Sequence, residues 1–206
     1  MAAAIGWSVF ALVTLAALVS ANLAGAEAEN RARADAQRLL AQFATQIRDT
    51  LAMNLAVRRS IVQATAAQIV ASGDVDADAI RRHLEAVQAQ FPEFAWLGVA
   101  DARGRVVAAT GGVLHGADVS ARPWFQHGLQ HPYLGAVHAA LLLADKLPRA
   151  PDGKPPRFVD VVAPLNLGTG PAIGVLAGHL SWSWIDRLQA ELLRSLDTHR
   201  QLDLLL

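Results

Sequence analysis

The sequence predicts an α+β domain, an antiparallel sheet with helices packed on it, behind a membrane-spanning N-terminal helix. Three patterns predict it: an uncharged apolar N-terminus, a long stretch of helical apolar spacing without proline or glycine, and then short β-branched runs separated by turn residues. Helices come first and paired strands follow, the order of an α+β arrangement rather than of alternating βαβ units.

Composition narrows the function classes. Formal net charge is zero and the pI is about 7.1, so the basic face that nucleic-acid binding needs is not expected, and neither is a nucleic-acid partner. Cysteine is absent, which removes disulfides, thiolate metal sites and a cysteine nucleophile. Lys146 and Lys154 are the only lysines among 18 Lys+Arg, a bias that hints at a GC-rich bacterial genome.

Met1 to Ala26 carries no charged residue. As a helix it would span roughly 39 Å, enough for a ~30 Å hydrocarbon core, with Trp7 suited to an interface. Residues 1–26 are read as a transmembrane anchor. A cleaved signal peptide is the rival, because Ala24-Gly25-Ala26 offers a small-x-small pattern. Arg31, Arg33 and Arg38 follow the segment and no Lys or Arg precedes it, the reverse of the positive-inside expectation, so a cytoplasmic flank is expected upstream of Met1.

Residues 27–72 read as one long amphipathic helix. Leu40, Phe43, Ile47, Leu51, Leu55, Val62 and Ile69 recur at spacings of three, four or seven. This stripe suits packing against the following domain or pairing with a second copy, and a homodimer is expected. Arg58-Arg59 reads as a solvated turn. Ser72-Gly73-Asp74 ends the helix, with a left-handed glycine cap, and Asp74 or Asp76 can cap a second helix from Asp78 to Gln90.

After Pro92 the spacing changes. The apolar run 95–100, the turn 101–104 and the run 105–109 read as a β-hairpin. Val119 to Gln130 holds a short helix, Tyr133 to Val137 a strand, and Pro148 to Pro156 a loop. Arg157 to Leu165 and Ala172 to Ser181 are β-branched runs joined by Asn166 to Pro171, a second hairpin, and Trp182 to Leu196 returns to helical spacing.

Four stretches then carry a resemblance. They are Asp118 to Phe125 (DVSARPWF), Pro132 to Gly135 (PYLG), Arg157 to Pro164 (RFVDVVAP) and Ile173 to Leu180 (IGVLAGHL). Together they resemble the Cache family, the PAS-like extracytoplasmic sensor domains of bacterial receptors. Sensor portions of membrane diguanylate cyclases look nearest, with histidine kinases and chemotaxis receptors as neighbours. The resemblance covers about Arg31 to Ser195. It implies a PAS-like module over residues 73–197. Residues 198–206 look like the start of a truncated second module, as in the double Cache type. The expected role is ligand sensing in the periplasm or outside the cell, anchored in the bacterial inner (plasma) membrane, with the output domain outside this chain. No cofactor is implied.

In such domains the ligand lies between the sheet and the loop-helix insertion. Arg122 offers a planar fork of donors for a carboxylate. Trp124 beside it offers an apolar wall or a cation–π surface. Asp160 stands in a strand otherwise of Val and Ala and needs a partner, in the protein or in a ligand. Tyr133 and His138 complete the candidate set. An amino acid would place its carboxylate on Arg122 and its ammonium on Asp160; equally, Arg122 and Asp160 could pair with each other, or Asp118 could bind Arg122. The amino-acid-binding subtype has tyrosines where Ala117 and Phe125 stand here, which weakens the case for an α-amino acid and leaves a simpler organic acid open.

Other signals are set aside. His127 and His131 lie four apart, but Pro132 disrupts the helix end and no acidic third ligand is adjacent, so no metal site is expected. His179, in an apolar strand, reads as a satisfied core histidine. No nucleophile elbow, P-loop or dinucleotide fingerprint is present, and no catalytic residues are expected.

Overall fold

The computed structural model describes residues 2–73, 76–139, 143, 156–168, 170–187, 190 and 194. The chain divides into two compact units, Met1–Thr50 and Leu51–Leu206. The proposed start of a second module at 198–206, all of the loop at 148–156 but Pro156, and most of the helix expected beyond 187 lie outside the described residues.

Helix α1 runs Ala2–Ser72, so the apolar N-terminus and the amphipathic stretch form one continuous helix. By length and composition it contains a segment apolar enough to cross a membrane. In the first unit Leu12, Val13, Leu15, Leu18 and Leu23 are exposed, as are Leu39 and Leu40.

The second unit begins within α1. Gly73 ends the helix at φ +62°, where a side chain would be strained. Asp76 then caps α2 (Ala77–Gln90), accepting a hydrogen bond from the Asp78 amide. Val62, Ala66 and Ile69 of α1 and Ile80 and Leu84 of α2 are buried in one core. Arg58 departs from the solvated turn that the sequence suggested. It sits inside α1, its side chain only 15% exposed, and pairs with Glu93 at 2.6 Å. It also donates to the Asn54 side chain and stacks over Trp184, 4.6 Å from the ring centre. The charge therefore joins the helix to the start of the sheet.

The sheet has six antiparallel strands. These are β1 (Phe94–Asp101), β2 (Val106–Ala109), β3 (Tyr133–Leu134), β4 (His138–Ala139), β5 (Arg157–Asn166) and β6 (Ala172–Ser181). Their order is β2-β1-β6-β5-β3, with β4 also paired to β5. Asp101 builds the β1–β2 turn by accepting from the amides of Arg103 and Arg105, each at 2.9 Å. The two long strands β5 and β6 are the centre of the sheet because Val and Ala fill both of their faces. Val161, Val162, Val175 and Leu176 are completely buried, each contributing on the order of 1.5–3 kcal/mol.

Two elements are shorter than the sequence suggested. Helix α3 covers Pro123–Gly128 rather than 119–130. Asp118 turns the chain beforehand by accepting from the Ser120 amide, and Pro123 supplies the first helical position. The strand expected over 133–137 is only β3, Tyr133–Leu134: the Gly135 amide turns to the Asp160 carbonyl at 2.8 Å, and pairing resumes with β4 at His138.

Candidate ligand-binding site

A bulge places the first wall of the site. Between Phe94 and Trp96 the β1–β6 register shifts, so that Ala95 and Trp96 both turn away from the helices. Trp96 then stands opposite His179 of β6, and His179 stands opposite Asp160 of β5. The three form a row across the central strands. The Trp96 and His179 rings stack at 4.9 Å, and the Trp96 indole donates to the Val113 carbonyl at 3.0 Å. Phe158 and Trp124 close around the same imidazole at 5.8 and 5.9 Å.

Helix α3 forms the second wall. Gly128 lets it lie flush on the sheet: a Cβ there would stand 2.4 Å from Val162 Cγ1. Trp124 and Phe125 point inward and are buried, and half-buried Arg122 stands at the helix N-terminus. The short strands β3 and β4 make the third wall, carrying Tyr133 and His138.

Between these walls lies a cavity of about 450 Å³. Its lining brings together all five residues singled out from the sequence: Arg122, Trp124, Tyr133, His138 and Asp160. Sequence reasoning did not assign Leu114, Leu143, Phe158 or His179 to it. For His179 a signal was present, a lone imidazole in the strand that pairs with the one bearing Asp160. Reading it required the register of the β5–β6 hairpin.

The charges pair in a way that the sequence left open. The buried Asp160 carboxylate does not pair with Arg122. Its Oδ1 accepts from His179 Nδ1 at 2.6 Å and lies 2.9 Å from His138 Nε2. Burial pushes the Asp160 carboxyl up, but the hydrogen bond and charge of His179, then those of His138, outweigh it and hold the group below its ordinary value. For His138, burial pushes downward and nearby Arg122 adds to it; the hydrogen bonds to Asp160 and to the Ala139 carbonyl, with the Asp160 charge, raise the net value above the ordinary imidazole range. Asp118 is engaged by Ser120. Arg122 consequently has no acidic partner among the described residues. Its guanidinium lines a mostly apolar cavity, and among the described residues neither its donors nor the Tyr133 hydroxyl makes a hydrogen bond.

A sheet whose helices cover one face and whose insertion roofs a cavity on the other defines a PAS-like module. Comparison with solved structures gives the fold its name. The sensory domain of the Campylobacter jejuni chemoreceptor Tlp3 (CcmL), with isoleucine bound, matches with a TM-score of 0.58 at 11% identity, over 71% of this chain and 60% of that one. The ligand-binding domain of the Pseudomonas aeruginosa PAO1 amino acid chemoreceptor PctC, in complex with GABA, matches with 0.57 at 19% identity, over 72% and 65%. The sensor domain of the V. cholerae histidine kinase DctB matches with 0.51 at 18% identity, over 74% and 57%. The chain has the fold of these Cache-type sensor domains. It spans 57% to 65% of the length of these three structures. No protein-family model matches the sequence, and no curated protein matches it.

Proposed function

We propose that this chain is the extracytoplasmic ligand-sensing part of a bacterial membrane receptor, and that its cavity takes a small carboxylate-bearing molecule. In this reading residues 1–26 anchor the chain in the inner membrane, 27–72 carry the signal along α1, 73–197 form the sensor module and 198–206 begin a second one. The output lies outside the chain, and the sequence resemblance favours a diguanylate cyclase. The exposed apolar residues Leu39, Leu40 and Met53 suit pairing of α1 with a second copy.

One observation carries the ligand class. Arg122 lines the cavity without an acidic partner among the described residues, whereas Asp160, the one carboxylate among the described lining residues, is already engaged by two imidazoles. The free recognition group is therefore cationic, and its planar donors match a carboxylate. An ammonium group would have to compete with His138 and His179 for Asp160. Carboxylic acids without an α-amino group should thus outrank their amino-acid counterparts.

The test is a thermal-shift screen of the chain in detergent, using organic acids, amino acids and amines, run in parallel on Arg122→Ala. A ligand at a hundred times its Kd contributes about 2.7 kcal/mol, roughly 5–10 °C of Tm for a domain of this size. An acid that gives such a shift in the wild type and none in Arg122→Ala supports the reading. Stabilisation by amines alone, or an acid response that survives Arg122→Ala, overturns it. A well-folded protein that responds to nothing favours a ligand-free dimerisation scaffold.

A further inference from the structure

We propose that His138, Asp160 and His179 together form a three-ligand site for a divalent transition-metal ion, with its open coordination position facing the cavity. Three donors from three different strands converge there, and one ligand atom from each residue falls within 4.8 Å of the others. Two imidazoles and one carboxylate are a donor set for metals of the zinc type, whereas calcium and magnesium favour all-oxygen shells.

The hydrogen bonding around His138 argues in the same direction. Its Nδ1 lies 3.0 Å from the Ala139 carbonyl oxygen, which can only accept, so the proton belongs on Nδ1. In a neutral ring Nε2 then carries a lone pair, and that lone pair points at the carboxylate Oδ1 2.9 Å away. Two acceptors facing each other need a cation between them. A proton on Nε2 is one solution and a metal ion is the other. The metal solution leaves His138 neutral and oriented by a carbonyl through its second nitrogen, the usual arrangement around a ligating imidazole.

The surroundings suit a site with two fixed ligands and one adjustable ligand. Asp160 and His179 are buried, and His179 is held among Trp96, Trp124 and Phe158. The Gly135 amide holds the Asp160 carbonyl, and no Cβ intrudes at Gly135, where one would stand 3.1 Å from Asp160 Cβ. His138 has a 40% exposed side chain on a two-residue strand. Tetrahedral bonds of about 2.0–2.1 Å put ligand atoms roughly 3.3 Å apart. The present separations of 2.6 and 2.9 Å would open by roughly 0.7 and 0.4 Å, and the two imidazole nitrogens, now within 4.8 Å of each other, would draw together, a movement that falls to the exposed His138. The fourth position opens to the space lined by Arg122 and Tyr133, where water or the oxygen of a bound anion would sit.

This inference does not rest on the ligand class proposed above, because the probe is the metal alone. The tag-free chain in detergent, stripped with EDTA, is titrated calorimetrically with Zn²⁺. One saturable zinc per chain is expected, weakened at least about tenfold in His138→Ala and in Asp160→Asn and unchanged in His127→Ala. His138→Ala removes a partly exposed ligand and keeps the test meaningful if Asp160→Asn misfolds, which far-UV circular dichroism reports. Absence of saturable zinc binding at micromolar concentrations overturns the site. So does binding that survives His138→Ala, or binding lost in His127→Ala, which would assign the metal to the pair formed by His127 of α3 and His131 beyond its end.

Discussion

Odd-numbered residues of β5 face the helices and even-numbered ones face the cavity; on β6 the parity is reversed. Val159, Val161, Ala163 and Leu165, with Leu176 and Leu180, pack against α1 and α2 without a polar atom among their side chains. On the other face of the same two strands stand Phe158, Asp160, Val162, Val175, Ala177 and His179, beneath a helix of six residues and a cavity of about 450 Å³. One face is filled by close-packed aliphatic side chains. The other gives up packing for a charged cluster and an opening. Burial is equally complete on both, so burial alone does not distinguish scaffold from site; the chemistry of the buried groups does.

The sharpest way to test that division is to cut one residue from the packed face. Leu176→Ala, three positions from His179 but on the opposite side, removes a completely buried side chain. It should destabilise the second unit by about 2–5 kcal/mol. Urea denaturation reads the loss. Binding of an acid ligand or of zinc to the folded fraction should be unchanged. A change in either affinity would show that the faces are coupled through β6 and would break the comparison.

How much of each face was legible follows from the same geometry. The packed face writes itself into the sequence as period-two apolar runs in β5 and β6 and as helical spacing in α1 and α2, which is why these elements could be read directly. Arg122, Trp124, Asp160, Tyr133 and His138 were likewise readable as chemistry, because a charged or aromatic residue stands out among Val and Ala. Their pairing was not. Asp160 meets His179 through the β5–β6 register, and Trp96 meets His179 through a bulge that no residue between Phe94 and Trp96 announces. Both depend on tertiary pairing, to which local pattern is blind. The strand read over 133–137 proved too long for the same reason: Gly135 ends β3 after Leu134 by bonding to a strand far away in the chain.

A smaller effect is expected where α3 meets the cavity face. Gly128→Ala adds a methyl group that would stand 2.4 Å from Val162 Cγ1, so α3 must lift or Val162 must turn. The cost should be about 1–3 kcal/mol, partly offset by the better helix propensity of alanine. Unlike Leu176→Ala, this change should also weaken acid binding, because Trp124 and Arg122 ride on the same helix. Stability and affinity measured on one sample separate the two cases. A Gly128→Ala protein with full stability would mean that α3 rests on the sheet without needing close contact.

The smallest effect belongs to the polar turn that launches α3, and its signature is its dependence on pH. Asp118 Oδ1 accepts from the Ser120 amide at 2.8 Å. The hydrogen bonds from the Ser120 amide and hydroxyl, aided by Arg105 and opposed by slight burial, hold the Asp118 carboxyl below its ordinary value of 3.8. A carboxyl lowered on folding stabilises the folded state when ionised. Its contribution is present above the unfolded value of 3.8 and is lost as pH falls through the lower folded value. Asp118→Asn lacks that titration. The stability difference between wild type and Asp118→Asn should therefore be constant near neutrality and shrink below about pH 4. Every other carboxylate titrates in both proteins and cancels. Leu176→Ala provides the contrast, since its deficit is apolar and should stay flat over the same range. A wild type minus Asp118→Asn difference that is also flat would mean that the Asp118 charge does not hold the turn, leaving Pro123 and the close seat of Gly128 to position α3 over the cavity.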